Sequence, residues 1–291
     1  MKFTGTTYRP PFEAASLLLQ VTEGCSHNRC SFCSMYRNVP FSVESMEQIR
    51  QDIAEAAQLR PDAKRVFLEN GDAFALSAER LEEIIHEIYR KLPQVECISM
   101  YASINNVRTK SDEELKRLHE LGIDDLNIGL ESGYDPALEQ MCKGYDSAEA
   151  ELQMLRLKKA GFHFGVNIIL GISGPEKSRD HAIATAKLLN RVQPDLVFTG
   201  TLHADPGCPL YDWVQEGSFI GNTIGEFLDE MECFVSHLEL ENCRYYGLHP
   251  SNIMPLDGRL GRDKEKLLTA IREERLEWTP EQLQIRLQKR V

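Results

Sequence analysis

Apolar residues follow two alternating spacings along this chain. Short runs of strand length are each followed by a segment in which apolar residues recur every three or four positions, as on one face of a helix. The predicted strands are Ser16–Thr22, Lys64–Glu69, Val95–Ser103, Asp125–Leu130, Phe164–Leu170 and Asp195–Thr201. The predicted helices between them are Ser42–Leu59, Ser77–Leu92, Ser111–Leu121, Ser147–Ala160 and Glu176–Val192. This alternation predicts βαβ units and a parallel sheet.

Local signals support several of the helix ends. Ser42 is a plausible N-cap of the first helix. Ser111 and Glu114 have the spacing of a capping box, and Gly122 follows that helix. Gly161 likewise follows Ala160. These residues divide the chain into separate elements, and we find no internal repeat.

The pattern changes after the sixth predicted strand. Only helical segments are predicted there, at Phe219–Leu240, Lys264–Arg275 and Trp278–Arg290. The predicted fold class is α/β: a partial (β/α)6 TIM-like barrel of parallel strands with a helical C-terminal extension. We expect residues 1–213 to form the barrel and residues 214–291 to form the extension packed on it.

Composition narrows the class of protein. The chain has 291 residues, of which 42% are hydrophobic, enough for a substantial core. It contains no apolar stretch of about 20 residues, and its first residues carry no apolar leader, so we expect a cytoplasmic protein without a membrane contact. The net charge of −12 makes a large RNA surface less favourable. Eight cysteines in such a chain favour metal binding or buried thiols over disulfides.

Three of those cysteines share one loop after the first strand. Cys25, Cys30 and Cys33 are close enough in sequence to hold zinc or an iron–sulfur cluster. A [4Fe–4S] cluster normally takes four thiolates, so three would leave one iron open to a ligand from outside the protein. The alternative is a structural zinc site in which His27 is the fourth ligand. The scattered cysteines are expected to be small buried side chains: Cys97, Cys142, Cys208, Cys233 and Cys243.

Polar or glycine-rich segments follow the other predicted strands. In a barrel of parallel strands, the loops after the strands meet at one mouth, where the chemistry occurs. Tyr101, Ser103, Asn105 and Asn106 can either contact a substrate there or satisfy the loop backbone. His203, after the sixth strand and near Asp205, is a candidate for substrate contact or proton transfer. The segments expected at this mouth are Asn70-Gly71-Asp72, Ser103 to Asn106, Glu131, Gly171 and His203.

These features together resemble the radical S-adenosylmethionine (SAM) superfamily, in particular the branch of oxygen-independent coproporphyrinogen oxidases and methylthiotransferases. The resemblance covers roughly residues 17–213. It implies that Cys25, Cys30 and Cys33 hold a [4Fe–4S] cluster whose open iron binds SAM. It also implies cleavage of SAM to methionine and a 5′-deoxyadenosyl radical, which abstracts hydrogen from a substrate.

The cysteine loop matches the family pattern in part. The usual spacing is Cys-x3-Cys-x-aromatic-Cys, whereas here four residues separate Cys25 from Cys30. Phe32 stands where the family places an aromatic residue near the adenine. Gly24 would let the backbone approach the cluster closely.

Other positions resemble the family's SAM contacts one at a time. Asn70-Gly71-Asp72 resembles the turn that receives the amino group of SAM, although most relatives have two glycines or Gly-Glu there. Glu131 matches a ribose or amino-group ligand, and Lys143 a basic residue that neutralises the SAM carboxylate. Asn167 lies where a relative places Asp against the ribose, and Gly171 matches the adenine-side backbone. Each of these can instead be an ordinary residue at the end of a strand or on the surface.

The resemblance also implies partners. We expect an electron donor such as flavodoxin or ferredoxin, and an unidentified small-molecule or modified-peptide substrate. The alternative function is a non-catalytic zinc-binding scaffold that uses Cys25, His27, Cys30 and Cys33. In the C-terminal region, Tyr245, Tyr246 and residues 249–252 can either close the mouth as a lid or pack against helices.

Overall fold

A computed structural model describes residues 1–287 of the chain. The chain divides into two compact units, each made of several segments. Unit 1 consists of Met1–Asn28, Asn38–Gly129 and Gln153–Phe164, and unit 2 of Arg29–Arg37, Leu130–Leu152 and the chain from Gly165 onward. No helix within residues 1–287 is both long enough and apolar enough to span a bilayer.

Unit 1 contains four parallel strands and a small hairpin. The strands are β1 (Leu17–Gln20), β4 (Arg65–Glu69), β5 (Cys97–Ala102) and β6 (Ile123–Glu131, whose last two residues belong to unit 2), in that spatial order. In the registers, Gln20 lies opposite Glu69, Leu68 opposite Met100, and Tyr101 opposite Asn127. The hairpin pairs β2 (Thr22–Glu23) with β3 (Ser42–Val43).

Helices follow the unit 1 strands as the spacing of apolar residues predicts. They are α1 (Met46–Leu59), α2 (Ala78–Lys91), α3 (Ile104–Arg108) and α4 (Asp112–Glu120). The first helix begins later than predicted. Its N-cap is Ser45, which accepts from the backbone N–H of Gln48, while Ser42 lies in β3, so the prediction of Ser42 as the N-cap is wrong. The predicted capping box of Ser111 and Glu114 is confirmed.

Unit 2 carries strands β7 to β10 in sequential order. Strand β7 (Phe164–Leu170, whose first residue belongs to unit 1) pairs in parallel with β8 (Leu196–Thr201), which pairs in parallel with β9 (Arg244–Gly247). Strand β10 (Leu256–Arg259) adds antiparallel to β9. The helices that remain are α5 (Asp135–Gln140), α6 (Ser147–Ala160, shared between the units), α7 (Ser178–Val192), α8 (Pro209–Glu216), α9 (Ile224–His237), α10 (Lys264–Glu277) and α11 (Pro280–Leu283).

The C-terminal region differs from the expected run of helices. Tyr245 and Tyr246 are strand residues of β9 rather than part of a loop. Asn252 donates to the backbone carbonyls of Thr199 and Gly247, which anchors the β9–β10 loop over the end of β8. The helix predicted at Trp278–Arg290 is shorter than predicted: it spans Pro280–Leu283, and Arg286 beyond it forms an isolated bridge with Thr223. Residues 288–291 lie outside the described part.

A buried charge cluster in unit 1 joins the strands at the ends where they begin. The side chain of Glu13, in the short helical turn Pro11–Glu13, is 0% exposed. It accepts two hydrogen bonds from Arg65 of β4, at 2.9 and 2.5 Å, and one from Ser99 of β5, at 2.9 Å. Arg65 also contacts Asp125 of β6 at 2.5 Å. These contacts attach the segment before β1 to three neighbouring strands.

We predict that Glu13→Gln lowers the free energy of unfolding by about 3 kcal/mol, because it leaves a partly buried Arg65 without its main partner. Burial alone would raise the Glu13 pKa, but the bonds and charge of Arg65 lower it below its ordinary value of 4.5. The stability conferred by Glu13 is therefore present above that value and lost as pH falls through the lowered pKa. Urea denaturation at several pH values measures both effects.

The matched control is Glu96→Gln, since Glu96 pairs with Lys64 at 2.8 Å on an exposed surface. That change should cost about 0.5 kcal/mol or less. Equal losses for the two variants would contradict the role given to Glu13.

Candidate functional site

The cysteine loop is the connection between the two strands of the unit 1 hairpin, residues 24–41. It begins at Gly24, whose φ of +79° is rarely adopted by other residues. A Cβ on Gly24 would lie 2.9 Å from the carbonyl oxygen of Val39. A glycine is therefore required for the two ends of the loop to approach each other next to Cys25.

Cys25 lies in a polar part of unit 1. Its Sγ accepts from the backbone N–H of Asn28 at 3.5 Å. The next residue, Ser26, donates its backbone N–H to Asp72 Oδ2 at 3.1 Å and its hydroxyl to the same oxygen. The turn after β4 thus fixes the start of the cysteine loop.

Asp72 is held from a second side. Asn106 Nδ2 lies 3.5 Å from its Oδ2. Asn106 also forms a reciprocal capping box with Ser103 at the start of α3. Of the two alternatives for this segment, Ser103 and Asn106 therefore satisfy loop backbone. Asp72 itself is only 5% exposed.

Lys110 supports the turn that follows Asp72. Its Nζ donates to the carbonyls of Phe74 and Leu76 at 2.7 and 3.0 Å and lies 4.3 Å from the centroid of the Phe74 ring. Burial lowers the pKa of Lys110 to about 8, although the charges of Glu114, Asp72 and Glu79 oppose the shift. The turn is thereby fixed by a buried cation rather than left open to solvent.

The residues Asn70 and Gly71 complete this corner of unit 1. The backbone N–H of Asn70 donates to the carbonyl of Thr22 at 3.2 Å, and Thr22 Oγ1 donates to the carbonyl of Asn70 at 2.9 Å. The Asn70 side chain donates to the carbonyl of Thr4 at 2.8 Å. Gly71 has a φ of +94°. The turn is thus tightly bonded to the segment that leads into the cysteine loop.

Cys30 and Cys33 belong to unit 2, where the segment between them is anchored by backbone hydrogen bonds. Ser31 donates to the carbonyl of Met141 at 3.1 Å and accepts from the N–H of Leu210 at 2.9 Å. Phe32 packs against an apolar cluster that includes Met141 and Leu210. Phe32 therefore anchors the half of the loop that carries Cys30 and Cys33.

A buried ion pair lies close to this half of the loop. Lys143 Nζ is 3.3 Å from Glu131 Oε1, and the two side chains are 8% and 11% exposed. Lys143 Nζ is also 5.7 Å from the Phe32 ring centroid. Burial opposes the charge of Lys143, but attraction to Tyr145, Cys30 and Glu131 raises its pKa well above the ordinary value. Burial raises the pKa of Glu131, and the Lys143 ammonium limits that rise.

Gly171, at the end of β7, is fixed by a residue from the C-terminal region. Its backbone N–H donates to Glu230 Oε1 at 2.9 Å. Glu230 is fully buried on α9 and also contacts His181 Nδ1 at 2.9 Å and Ser178 Oγ at 2.6 Å. Gly171 has a φ of +81°, and a Cβ there would collide with the Phe227 ring. Helix α9 thus determines the path of the chain after β7.

The last two predicted site residues lie on or after neighbouring strands of unit 2. Asn167 is on β7, half-buried and opposite Phe198 of β8 in the register. Phe198 stacks on Tyr246 of β9 with ring centroids 5.6 Å apart. His203 is half-buried, two residues after β8.

The predicted site residues therefore form local groups. Unit 1 brings Cys25 together with the Asn70–Asp72 turn, and unit 2 brings Glu131, Lys143 and Phe32 together. Within residues 1–287, no three His, Cys, Asp or Glu side chains are already grouped as metal ligands. The three cysteines divide between the two units, with Cys25 in unit 1 and Cys30 and Cys33 in unit 2.

Three supporting residues were missed at the sequence level: Ser26, Lys110 and Glu230. Ser26 adjoins the first cysteine and could have been noticed by position alone. Lys110 and Glu230 act through tertiary contacts, with their partners 34 to 59 residues away. Neither the helical spacing nor a local motif distinguishes them from surface charges.

We predict that Gly171→Ala destabilises the protein by about 2–4 kcal/mol, because a left-handed backbone and a clash with Phe227 add together. The control is Gly207→Ala, since Gly207 has a φ of +93° but no atom within 4 Å of the position that a Cβ would take. That change should cost only about 1–2 kcal/mol. Thermal and urea unfolding measure the difference, and equal losses would rule out the steric part of this explanation.

Comparisons with known proteins find similarity to one superfamily. A family model described as the Radical SAM superfamily matches residues 19–189. The heme chaperone HemW of Bacillus subtilis is 27% identical over 201 residues, which cover 66% of this chain and 52% of HemW. A tRNA-2-methylthio-N(6)-dimethylallyladenosine synthase of Colwellia psychrerythraea is 24% identical over 213 residues, covering 70% of this chain and 43% of the synthase. The chain thus spans about half the length of these relatives.

A solved structure shows the same fold. The radical SAM methyltransferase TsrM of Kitasatospora setae, solved with cobalamin and a [4Fe–4S] cluster, matches with a TM-score of 0.55 at 16% identity. The match covers 69% of this chain and 39% of TsrM. It confirms the predicted fold class. Because the family model covers more than half of its length, the chain belongs to the radical SAM superfamily, whose enzymes use a [4Fe–4S] cluster and SAM.

Proposed function

We propose that Cys25, Cys30 and Cys33 hold a [4Fe–4S] cluster and that SAM completes the coordination of the fourth iron. When bound, this pair of cofactors supplies a 5′-deoxyadenosyl radical that abstracts hydrogen from the substrate. The protein's contribution is to orient the ligands, neutralise their charges and exclude water. The observation that carries the proposal is the set of three thiols on one loop, with supporting contacts at both ends.

The surroundings of the thiols suit this donor set. The amide of Asn28 points at Cys25 Sγ, and amide hydrogen bonds to sulfur are among the contacts that tune iron–sulfur clusters. Lys143 interacts electrostatically with Cys30, so a buried cation lies near one of the proposed ligands. A cluster held by three thiolates is anionic overall, so a nearby buried cation offsets part of its charge.

The SAM contacts are proposed residue by residue. Asp72 Oδ2 already binds Ser26, so its other carboxylate oxygen is the one we assign to the SAM amino group, together with the Asn70–Gly71 backbone. Lys143 is proposed to face the SAM carboxylate while it remains paired with Glu131. Asn167 is assigned to the ribose and the Gly171 backbone to the adenine. Phe32 is proposed to lie near the adenine, and His203 is a candidate for substrate contact.

The substrate is proposed as a small molecule or a modified peptide. The net charge of −12 disfavours RNA, although the Colwellia relative is named for a tRNA modification and HemW for heme. Since this chain spans about half of each relative, neither substrate is transferred. The reductant is proposed as a flavodoxin or ferredoxin.

None of the comparisons supports the zinc-binding scaffold. The two functions differ in metal content and colour. An iron–sulfur protein is brown and absorbs near ~400 nm, whereas a zinc site is colourless. Elemental analysis of anaerobically purified protein therefore separates them directly.

We predict that Cys25→Ala, Cys30→Ala and Cys33→Ala each abolish the cluster, because the loop offers no fourth thiolate to replace the lost one. The matched controls change cysteines elsewhere, which should leave the iron content near normal: Cys97→Ala, Cys142→Ala, Cys233→Ala and Cys243→Ala. Iron and sulfide analysis after anaerobic reconstitution measures the result. If one of the control cysteines proved essential for the four irons, the cluster would have a fourth protein ligand. No iron would then be open to SAM, which would contradict the proposal.

We also predict that the reduced, reconstituted enzyme slowly cleaves SAM without substrate and releases 5′-deoxyadenosine rather than methylthioadenosine. The reason for testing the product is the longer spacing between Cys25 and Cys30, which alters the loop on which the cluster depends. Liquid chromatography of the quenched reaction separates the two products. Methylthioadenosine as the main product would mean that a different carbon–sulfur bond breaks, and the absence of any product with a full cluster would remove the enzyme assignment.

A further inference from the structure

Two buried polar atoms in unit 1 have no hydrogen-bond partner among the described residues. They are Glu69 Oε2, at the end of β4, and Asn127 Nδ2, on β6. Each of these residues is 1% exposed. Buried polar groups are nearly always hydrogen-bonded, because an unpaired one costs its full desolvation free energy. Neither residue takes part in the contacts assigned above to the cluster or to SAM.

Glu69 and Asn127 lie in one row of residues that runs across β4, β5 and β6 and consists of Glu69, Tyr101 and Asn127. The register that pairs Leu68 with Met100 places Glu69 beside Tyr101, and Tyr101 is paired with Asn127. Residues paired in a parallel sheet point to the same face, and their Cα atoms on strands two apart are roughly 10 Å from each other. The T-shaped contact of Tyr101 with Phe67, at 5.4 Å between centroids, confirms that β4 and β5 share this face.

The N-terminal segment lies along the same end of the sheet. Gln20, paired with Glu69 in the register, exchanges two hydrogen bonds with Thr4 at 2.8 and 2.7 Å. Thr7 Oγ1 donates to Glu69 Oε1 at 3.5 Å. Arg9 contributes a positive charge that acts on Glu69. The Glu69 end of the row therefore lies beside polar and cationic groups of the N-terminal segment.

We propose that this row is a substrate subsite that binds a carboxylate group, with Glu69 in its protonated form and Asn127 Nδ2 as the two hydrogen-bond donors. The subsite rests on the proposed function, since it names the chemical class of the substrate for the same enzyme. It adds residues that the resemblance to the superfamily did not indicate.

The protonation of Glu69 has a physical cause. Burial raises its pKa to about 7, while the hydrogen bond from Thr7 and the charge of Arg9 oppose the rise. The charged or titratable groups facing it are Arg9 from the N-terminal segment and the phenol of Tyr101 on β5, whereas its neighbour on β1, Gln20, is neutral. Near neutral pH, a large fraction of Glu69 therefore carries a proton that it can donate.

An anionic ligand fits this row better than a cationic one. The unpaired Asn127 nitrogen can only donate, and an ammonium group offers it no acceptor. Arg9 would repel a cation and attract an anion. A carboxylate has two acceptor oxygens and can take one hydrogen bond from each donor.

The test uses two probes with the same carbon skeleton, propionate and propylammonium, in saturation-transfer NMR on the reconstituted protein. Propionate should bind, and its affinity should fall about tenfold between about pH 6 and about pH 8, as Glu69 loses its proton. Glu69→Gln keeps a donor but cannot ionise, so its affinity should no longer depend on pH in this range. Glu69→Ala and Asn127→Ala should each weaken binding.

The control is Glu96→Gln, an exposed change that should leave binding and its pH dependence intact. Infrared spectroscopy provides a second readout, because the band of a protonated carboxyl present near pH 6 should be missing in Glu69→Gln. Preferential binding of propylammonium, or propionate binding that Glu69→Gln leaves equally pH-dependent, would overturn the subsite. Iron content and SAM cleavage are measured on the same samples, so failure of the subsite with both retained leaves the proposed function intact.

Discussion

The hydrogen bonds from Ser26 to Asp72 are the constraint on which the first half of the site depends. They connect the residue next to Cys25 with the turn after β4. Asp72 is positioned to accept these bonds because Asn106 contacts its Oδ2. Lys110 also supports the turn that follows Asp72 by donating to the carbonyl of Phe74. The position of the first thiol therefore follows from the end of a sheet strand, which is rigid, rather than from the loop itself. A site held to within a fraction of an ångström needs such support.

Unit 2 uses buried charge for the same purpose. Lys143 and Glu131 form an ion pair beside the segment that carries Cys30 and Cys33. A buried ion pair contributes little net stability, because the desolvation of both groups offsets their attraction. Its value here is electrostatic: it keeps a cation near Cys30 and close to the proposed position of an anionic cofactor. Glu230 acts by position instead, since it accepts the backbone N–H of Gly171 and fixes the end of β7.

The sequence was sufficient where structure is determined locally. The spacing of apolar residues predicted α6 and β7 with the bounds found, and the capping box predicted the start of α4. Prediction from the sequence failed where tertiary contacts determine the structure. Strands β9 and β10 were missed because each has only four residues and forms by pairing with a neighbour, β9 with β8 and β10 with β9. The Ser42 N-cap was wrong because that residue pairs with Glu23 in a hairpin, which leaves Ser45 to cap the helix.

The candidate site shows the same contrast between residues identified by a local motif and residues identified only by tertiary contacts. The cysteines were predictable because their chemistry requires a short spacing. Lys110 and Glu230 were not assigned, because their contacts join segments 34 to 59 residues apart in the chain.

The central claim is that SAM binds the iron that the three cysteines leave open. Electron paramagnetic resonance of the reduced, reconstituted protein tests it most directly, with and without SAM labelled with ¹⁷O in its carboxylate. Coordination predicts that SAM shifts the cluster signal and that the labelled form broadens it by hyperfine coupling to the oxygen. Identical spectra with and without SAM, at full cluster content and saturating SAM, would contradict the account.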